Sequence, residues 1–366
     1  MSNPKKKFLF VVQGEGRGHM TQSIALKNTL NNAGMEVCEV LVGKSAQRQI
    51  PDFYFEKINA PITAIESPNF VTDAKMKSVK ILPSITKNIA NLSTFRKSMR
   101  ILDEKIKEHK PDAVINFYDP LVGLYYLLNK PDTPLICIAH QYLTHHPEFE
   151  FPKGFLADKI SMKLFTSLTS ARAKKKLGLS FYKFDDNVKN SVYVIPPLLR
   201  EEVFKQQILS GEYILVYLVN SGYMENIIEW HKQNSNVEVH CFIDRKSTHE
   251  VEQVSDKLFF HKINDKKFLS MMAGAKGLVC TAGFESVCEA MYLGKPVLMV
   301  PVEGHYEQYC NSRDAFKAGA GIYDKDFNIT RFLNYLSSYN NNTENFREWV
   351  NQSAAKTVEH IKSVLK

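Results

Sequence analysis

The chain lacks any apolar run near the roughly eighteen residues that a helix needs to cross a bilayer. Its opening, Met1–Lys7, is polar and leads straight into the strand-like segment that follows. Neither a transmembrane helix nor a signal peptide is therefore expected. The six cysteines (Cys38, Cys137, Cys241, Cys280, Cys288 and Cys310) form no C-x-x-C pair and no cluster with histidine. That argues against structural zinc and against a disulfide framework, and it makes the cytosol the expected compartment. Charged residues are only 23% of the chain and hydrophobic ones 44%, which excludes a disordered polymer. The formal charge of +8 fits an anionic partner, such as a membrane surface or a phosphorylated substrate. No nucleic-acid-binding module accompanies it, so nucleic acid is not expected as a partner.

A chain of 366 residues is long for one core, and two domains are expected. The boundaries read as an amino-terminal domain over 1–197, a linker over 198–210 after Pro196-Pro197, a second domain over 211–345, and a terminal helical segment over 346–366. Phe8–Val12 is a β-prone run followed by Gly14-Glu15-Gly16-Arg17-Gly18-His19. Met20, Ile24, Leu26 and Leu30 then recur near helical spacing, and Val37–Val42 is a second strand. This β-loop-α-β opening belongs to a doubly wound parallel sheet. A dinucleotide fingerprint would require a sixth-position glycine and an acid ending the second strand. The chain has His19 and Leu41-Val42-Gly43-Lys44 instead, so that reading fails.

Pro111–Pro120 contains a further strand with the polar end Asn116-Phe117-Tyr118-Asp119-Pro120. Asp-Pro is also a common helix start, so Asp119 as a cap stays open. Leu135–Ala139 is another strand, followed by His140, His145 and His146 at no known zinc spacing, and no metal is assigned. Two stretches mix basic and apolar residues. The first carries Lys75, Lys77, Lys80, Lys87, Arg96, Lys97 and Arg100, and the second Lys159, Lys163, Arg172 and Lys174–Lys176 among Ile160, Met162, Leu164, Phe165 and Leu168. Either can be a helix solvated on one face or a contact with an anionic membrane.

The carboxyl-terminal half is the more informative. Tyr213–Leu218 reads as a strand, and Asn220-Ser221-Gly222 is a small polar turn able to face a diphosphate. Gly277–Cys280 reads as a buried strand, Ala282-Gly283 as the turn into a helix at Phe284, and Gly294-Lys295-Pro296 as its stop. The glycine lets a phosphate approach the free N–H groups and the positive end of the helix. Glu289, one and a half turns in, can reach the ribose of such a nucleotide. Glu307 and Gln308 open the next helix with acceptors and donors suited to sugar hydroxyls.

Gly283, Glu289, Ala290, Gly294, Pro296, Pro301, Glu307, Gln308, Asn311 and Gly319 stand at the spacing of the donor site of GT-B glycosyltransferases. The segment resembles the murein N-acetylglucosaminyltransferase, the plant-type galactolipid synthases and the UDP-glucuronosyltransferase-like group. Gly14–His19 resembles the first loop of the same enzymes. The resemblance implies two Rossmann-like doubly wound domains facing a central cleft, and an inverting, metal-independent transfer of a hexosyl group from a nucleoside-diphosphate sugar, a UDP-sugar. No cofactor is implied beyond that co-substrate. It implies His19 as general base, with Asp119 orienting it. It also implies Gly18, Ser221, Gly222, Ile263, Ala282, Gly283, Phe284, Glu285, Glu289, Glu307 and Gln308 around the donor, with Ile263 offering backbone to the nucleobase. Several such enzymes act on lipid acceptors, so a lipid-linked or small-molecule acceptor, contacted by His140 and His145, and a peripheral membrane contact are expected. The family's fuller Gly-Gly-Ser turn is here Val219-Asn220-Ser221-Gly222. Asp324-Lys325-Asp326 has the form of a metal-binding D-x-D, but its place after a helix end reads as a surface turn. Two alternatives remain: a non-hydrolysing UDP-sugar epimerase and a non-catalytic nucleotide-sugar-binding subunit.

Overall fold

The computed structural model describes residues 4–44, 49–68, 71–72, 79–80, 92–218, 221–243, 249–340 and 342–365. It divides into two compact units, one made mainly of 1–71, 80–200 and 349–366, the other mainly of 201–348. Of the first basic stretch, Lys75, Lys77 and Lys87 lie outside the described residues, whereas Arg96, Lys97 and Arg100 fall on a helix.

The first unit is built on a seven-stranded sheet. Its strands in chain order are β1 (Lys7–Gln13), β2 (Glu36–Lys44), β3 (Ile62–Glu66), β4 (Ala113–Phe117), β5 (Leu135–Ala139), β6 (Lys175–Leu179) and β7 (Val192–Ile195). They lie in the order β3-β2-β1-β4-β5-β6-β7, all parallel. Every residue of β4 and β5 is buried, as happens only when both faces of a sheet are covered. That explains why these strands read as unbroken apolar runs rather than as alternating ones. The connecting helices are α1 (Arg17–Asn32), α2 (Asp52–Ile58), α3 (Leu92–His109), α4 (Pro120–Asn129) and α5 (Leu156–Thr169). One core cluster joins Leu9, Val11 and Leu41 of the sheet to Leu102, Leu121 and Tyr125 of the helices. Glu39 of β2 is buried among them, with Thr63 Oγ1 at 2.6 Å and His109 Nε2 at 2.6 Å. Burial opposes its charge, but these bonds and Lys105 outweigh it and hold the carboxyl below its ordinary range.

The second unit has its own seven-stranded sheet. Its strands are β8 (Ile214–Leu218), β9 (Val239–Ile243), β10 (Val251–Ser255), β11 (Leu258–Lys262), β12 (Gly277–Cys280), β13 (Val297–Met299) and β14 (Gly321–Tyr323). The order is β10-β11-β9-β8-β12-β13-β14, parallel except for β10, which runs against β11. Its helices include α6 (Glu201–Phe204), α7 (Met224–Gln233), α8 (Asp265–Gly274), α9 (Phe284–Tyr292), α10 (Tyr306–Lys317) and α11 (Ile329–Leu336). Ile214, Val216, Val279, Leu298, Ile329 and Phe332 are among its core.

Much of the expected linker is tied down. Leu198 and Leu199 are buried, α6 follows at once, and the amides of Leu209 and Gly211 donate to the carbonyls of Ala273 and Gly274. From Trp349 onward the chain belongs to the first unit. After α12 (Thr343–Asn351) comes α13 (Ser353–Lys362). The Trp349 indole donates to the Ser180 carbonyl at 2.9 Å, Ser353 Oγ donates to the Pro197 carbonyl at 3.0 Å, and the His360 ring lies 5.0 Å from that of Tyr193. Among the described residues no helix is long and apolar enough to cross a membrane.

Candidate active site

In an open parallel sheet, ligands gather outside the carboxyl ends of the strands where the strand order reverses. In the first unit that point lies between β1 and β4. The loop after β1 is pressed against β2: Gly14 N–H donates to the Gly43 carbonyl, and a Cβ on Gly14 would lie 2.9 Å from that oxygen. Gly16 precedes α1 with extended backbone and no side-chain cap, so Gly18 and His19 fall in the first turn. His19 is half-buried, its Nδ1 is 3.2 Å from Gln22 Oε1, and its ring stacks at 5.7 Å on Tyr118 from the loop after β4. With Nδ1–H donated to Gln22, Nε2 keeps its lone pair, the tautomer a base requires. Tyr118 is held with φ of 63°, and its hydroxyl meets Thr166 Oγ1 at 2.8 Å.

Asp119 does not make the expected pair with His19. It is fully buried and is the N-cap of α4, accepting from Leu121 N–H at 2.9 Å and from Ser67 Oγ–H at 2.7 Å, both on Oδ1. Oδ2 has no hydrogen-bond partner among the described residues and rests on Gly43, where an added Cβ would lie 1.8 Å away. The physical reason is Pro120, which supplies no N–H and a preset φ. The residue before it becomes the natural cap, and its carboxyl turns toward the helix. Burial pushes this carboxyl up to about 6. Asn116 fastens the turn by donating to the carbonyls of Asp119 and Thr169 and accepting from Asp119 N–H.

In the second unit the order reverses between β8 and β12. After β8, Ser221–Tyr223 is a single 3-10 turn leading to α7, with Gly222 half-buried, while Val219 and Asn220 lie outside the described residues. After β12, Ala282 is fully buried with φ of 55°. A non-glycine residue there costs roughly 1–2 kcal/mol. Asn311 Nδ2, from α10, holds the Ala282 carbonyl at 3.2 Å. Gly283 then caps α9 with no side chain, is exposed, and faces only Ser286 Oγ, at 3.6 Å from a would-be Cβ. The first N–H groups of α9 thus meet an open approach at the positive helix end. Phe284 and Glu289 are buried along α9 and Glu285 is half-buried. Glu285, Glu289 and Asp314 surround Cys288 and add to the burial that raises its thiol.

Glu307 and Gln308 are half-buried in the first turn of α10. Gln308 Oε1 accepts from Val302 N–H at 2.8 Å, which fixes the loop between β13 and α10. Ile263 is half-buried directly after β11. So Ser221, Gly222, Ile263, Ala282, Gly283 and Phe284 all stand at or just past the carboxyl ends of parallel strands of one sheet, with Glu307 and Gln308 in the turn that follows β13.

The two acceptor histidines divide. His140 is 3% exposed, donates from Nδ1 to the Leu179 carbonyl at 2.7 Å, and lies edge-on to Phe149 and Phe181. It is a core residue, because β5 runs directly into a buried 3-10 turn, His140–His145. His145 is half-buried at the end of that turn in a polar cleft with Lys163, Ser167, Lys176 and Asn190. Asp324 of the D-x-D tripeptide is engaged by Arg331 at 2.8 Å. The sequence motifs did not point to Gly43, Gln22 and Tyr118, which shape the surroundings of His19 and Asp119. Only Gly43, at a strand end where an acid was sought, carried any signal.

Two parallel-sheet α/β units with their loops so placed make the GT-B fold, and residues 6–339 match the family model described as Glycosyl transferase family 1. The chain belongs to that family, and it is a glycosyltransferase. An uncharacterized glycosyltransferase of Methanosarcina mazei is 24% identical over 342 residues, covering 86% of this chain and 85% of that one. Among solved structures, the glycosyltransferase of kitacinnamycin has a TM-score of 0.66 at 15% identity over 100% of both chains. MurG of Acinetobacter baumannii gives 0.56 at 16% identity, over 98% of this chain and 100% of that one. LpCGTa, solved in complex with UDP, gives 0.65 at 13% identity over 99% of both. The kinship read from the Gly283–Gly319 spacing is met by these findings.

Proposed function

We propose that the chain moves a hexosyl group from a UDP-sugar to a hydroxyl of its acceptor, with inversion and without a metal. The observation that carries this is the bare, exposed amino end of α9 at Gly283, beside the buried left-handed Ala282 that Asn311 holds. Such an end receives a diphosphate through backbone N–H groups and a dipole already in place. The UDP held by LpCGTa, a structure of the same fold, supports the choice of nucleotide.

In this reading the acceptor oxygen attacks the anomeric carbon from the side opposite the diphosphate. Its proton passes to His19 Nε2 as the new C–O bond forms. The bond to the diphosphate breaks, and the electron pair leaves with UDP. The N–H groups of Gly283, Phe284 and Glu285 offset the charge that develops there, together with the turn at Ser221-Gly222. Glu289 is assigned to the ribose, Glu307 to the sugar hydroxyls, and the free amide group of Gln308 to the same hydroxyls. Ile263 offers its backbone to the base. Incubation with a panel of UDP-sugars and candidate acceptors, following UDP release, tests the reading. Acceptor-dependent release is expected; calorimetric silence with UDP and with every UDP-sugar would refute it.

A further inference from the structure

The reaction described above gives no part to Tyr118, yet the chain holds this residue in a conformation that bulky side chains avoid. Its φ of 63° lies in the left-handed region, where a tyrosine is an outlier and glycine or asparagine is at ease. Strain of this kind persists only where surrounding contacts fix it, and it gathers at functional sites. The contacts are there. Asn116 clamps the turn, donating to the Asp119 carbonyl at 3.0 Å and accepting from Asp119 N–H at 3.0 Å. The Tyr118 side chain is buried and lies edge-on to Tyr142 and Phe165, each at 5.6 Å. Its hydroxyl meets Thr166 Oγ1 at 2.8 Å. The 3-10 turn after β5 and the helix α5 thus orient one ring between them.

What that ring presents to His19 is a face. The two planes make 28° at a centroid distance of 5.7 Å, an offset stack rather than an edge contact. On its edge the imidazole meets Gln22, with Nδ1 3.2 Å from Oε1. Gln22 is itself buried one turn further along α1, so the fold fixes this partner too. A neutral acceptor and an aromatic face therefore hold the imidazole where an orienting carboxylate was expected. Asp119 keeps its carboxyl on the cap of α4 and against Gly43 instead. The difference matters once a proton arrives. When Nε2 takes the proton of the acceptor hydroxyl, Nδ1–H stays donated to Gln22 and the ring becomes a cation. An aromatic face within about 6 Å attracts such a cation through its quadrupole.

We propose that Tyr118 is the positioning residue of His19: its ring sets the plane of the imidazole and steadies the imidazolium that forms as the acceptor oxygen attacks. This role rests on His19 acting as the base in the reading above. The test compares Tyr118→Phe, Tyr118→Leu, His19→Ala and the His19→Ala/Tyr118→Leu pair, using the UDP-sugar and acceptor that the panel returns. Unfolding midpoints and UDP affinity are measured alongside. Leu keeps an apolar side chain in the core but no aromatic face, and should lower kcat about tenfold at unchanged KM for the donor. Phe keeps the face and should hold kcat within about threefold of the parent. In the His19→Ala background the Leu substitution should cost nothing more, because a residue that works through His19 then has no ring to hold. The ring nitrogen resonances of His19 need no substrate. They should show a single tautomer, with the proton on Nδ1, in the parent and in Tyr118→Phe, and an averaged pair in Tyr118→Leu. Should Leu unfold the first unit, Thr166→Val loosens the Tyr118 ring from a distance, and a fall in kcat of about threefold is expected there. Equal turnover of the Phe and Leu variants overturns the role of Tyr118 while His19 remains the base. So does a Leu loss repeated in the His19→Ala background, or a His19 tautomer unchanged by Leu. Undiminished turnover in His19→Ala removes the base itself, and with it the role of Tyr118 in turnover; the nitrogen resonances then decide whether Tyr118 orients the ring.

Discussion

Replacing Asp119 by Asn should make the protein more stable at neutral pH and remove much of its pH dependence between about 4 and 6. The folded carboxyl, fully buried, is raised to about 6 from an ordinary 3.8. Below the lower value the proton is bound in both states, and the group contributes nothing adverse. As pH rises through the window, the unfolded chain releases the proton first. Stability then falls, and above about 6 the loss is complete. A rise of that size in a buried carboxyl costs roughly 3 kcal/mol once the group is ionised. Asn keeps the oxygen that accepts from Leu121 and Ser67 and caps a helix as well as Asp does. It introduces no charge, but its amide group takes the place of Oδ2 against Gly43, a donor whose burial costs about 1 kcal/mol. The net expectation is a gain of about 2 kcal/mol at pH 8, read from urea unfolding across pH 4–8. Turnover at pH 8 should stay near that of the parent. An unchanged pH slope, or net destabilisation at pH 8, would refute the electrostatic argument. A well-folded variant that loses turnover a hundredfold would show that Asp119 serves the chemistry after all.

His19→Ala should lower turnover by roughly 10²–10⁴ while calorimetry shows UDP affinity unaltered; undiminished turnover removes His19 from the reaction. Gly283→Asp meets only Ser286 Oγ, at 3.6 Å from the added Cβ, and a φ of −72°, and Asp is a favoured cap. The unfolding midpoint should hold or rise while UDP binding weakens about tenfold, because a carboxylate takes the diphosphate's place at the helix end. Asn311→Ala leaves the Ala282 carbonyl without its donor. It should destabilise the second unit by about 1–2 kcal/mol and weaken UDP binding as the left-handed turn relaxes; equal affinity would mean the turn holds itself.

The alternation of strand and helix was legible because Phe8–Val12, Leu135–Ala139 and Val297–Val300 are apolar throughout, as strands buried on both faces must be. Gly14–His19 and Gly283–Gly319 could be placed because their geometry depends on residue type at fixed spacing. Asp119 was ambiguous for the opposite reason. Asp-Pro opens a helix in any setting, and what leaves room for the second carboxyl oxygen is Gly43 on another strand, a contact that no local pattern encodes. His140 reads as a loop residue until the burial of the following turn is known. The left-handed residue of the donor loop is Ala282 and not the adjacent glycine, so the usual marker of positive φ points one position too far. Gln308 reads as a ligand-facing residue and Asn311 as one position of the donor-site spacing, yet the Gln308 carbonyl and the Asn311 amide both bind loop backbones.

The return of residues 349–366 to the first unit bears on how the protein is made. A domain ordinarily folds as soon as its own stretch of chain has left the ribosome, amino-terminal part first. Here the first unit cannot be completed until residues 349–366, which come after the second unit in the chain, have been made. The Ser180 carbonyl must wait for the Trp349 indole, the Pro197 carbonyl for Ser353, and Tyr193 for His360. The carboxyl-terminal half, though translated later, holds all of its strands before that closing segment emerges.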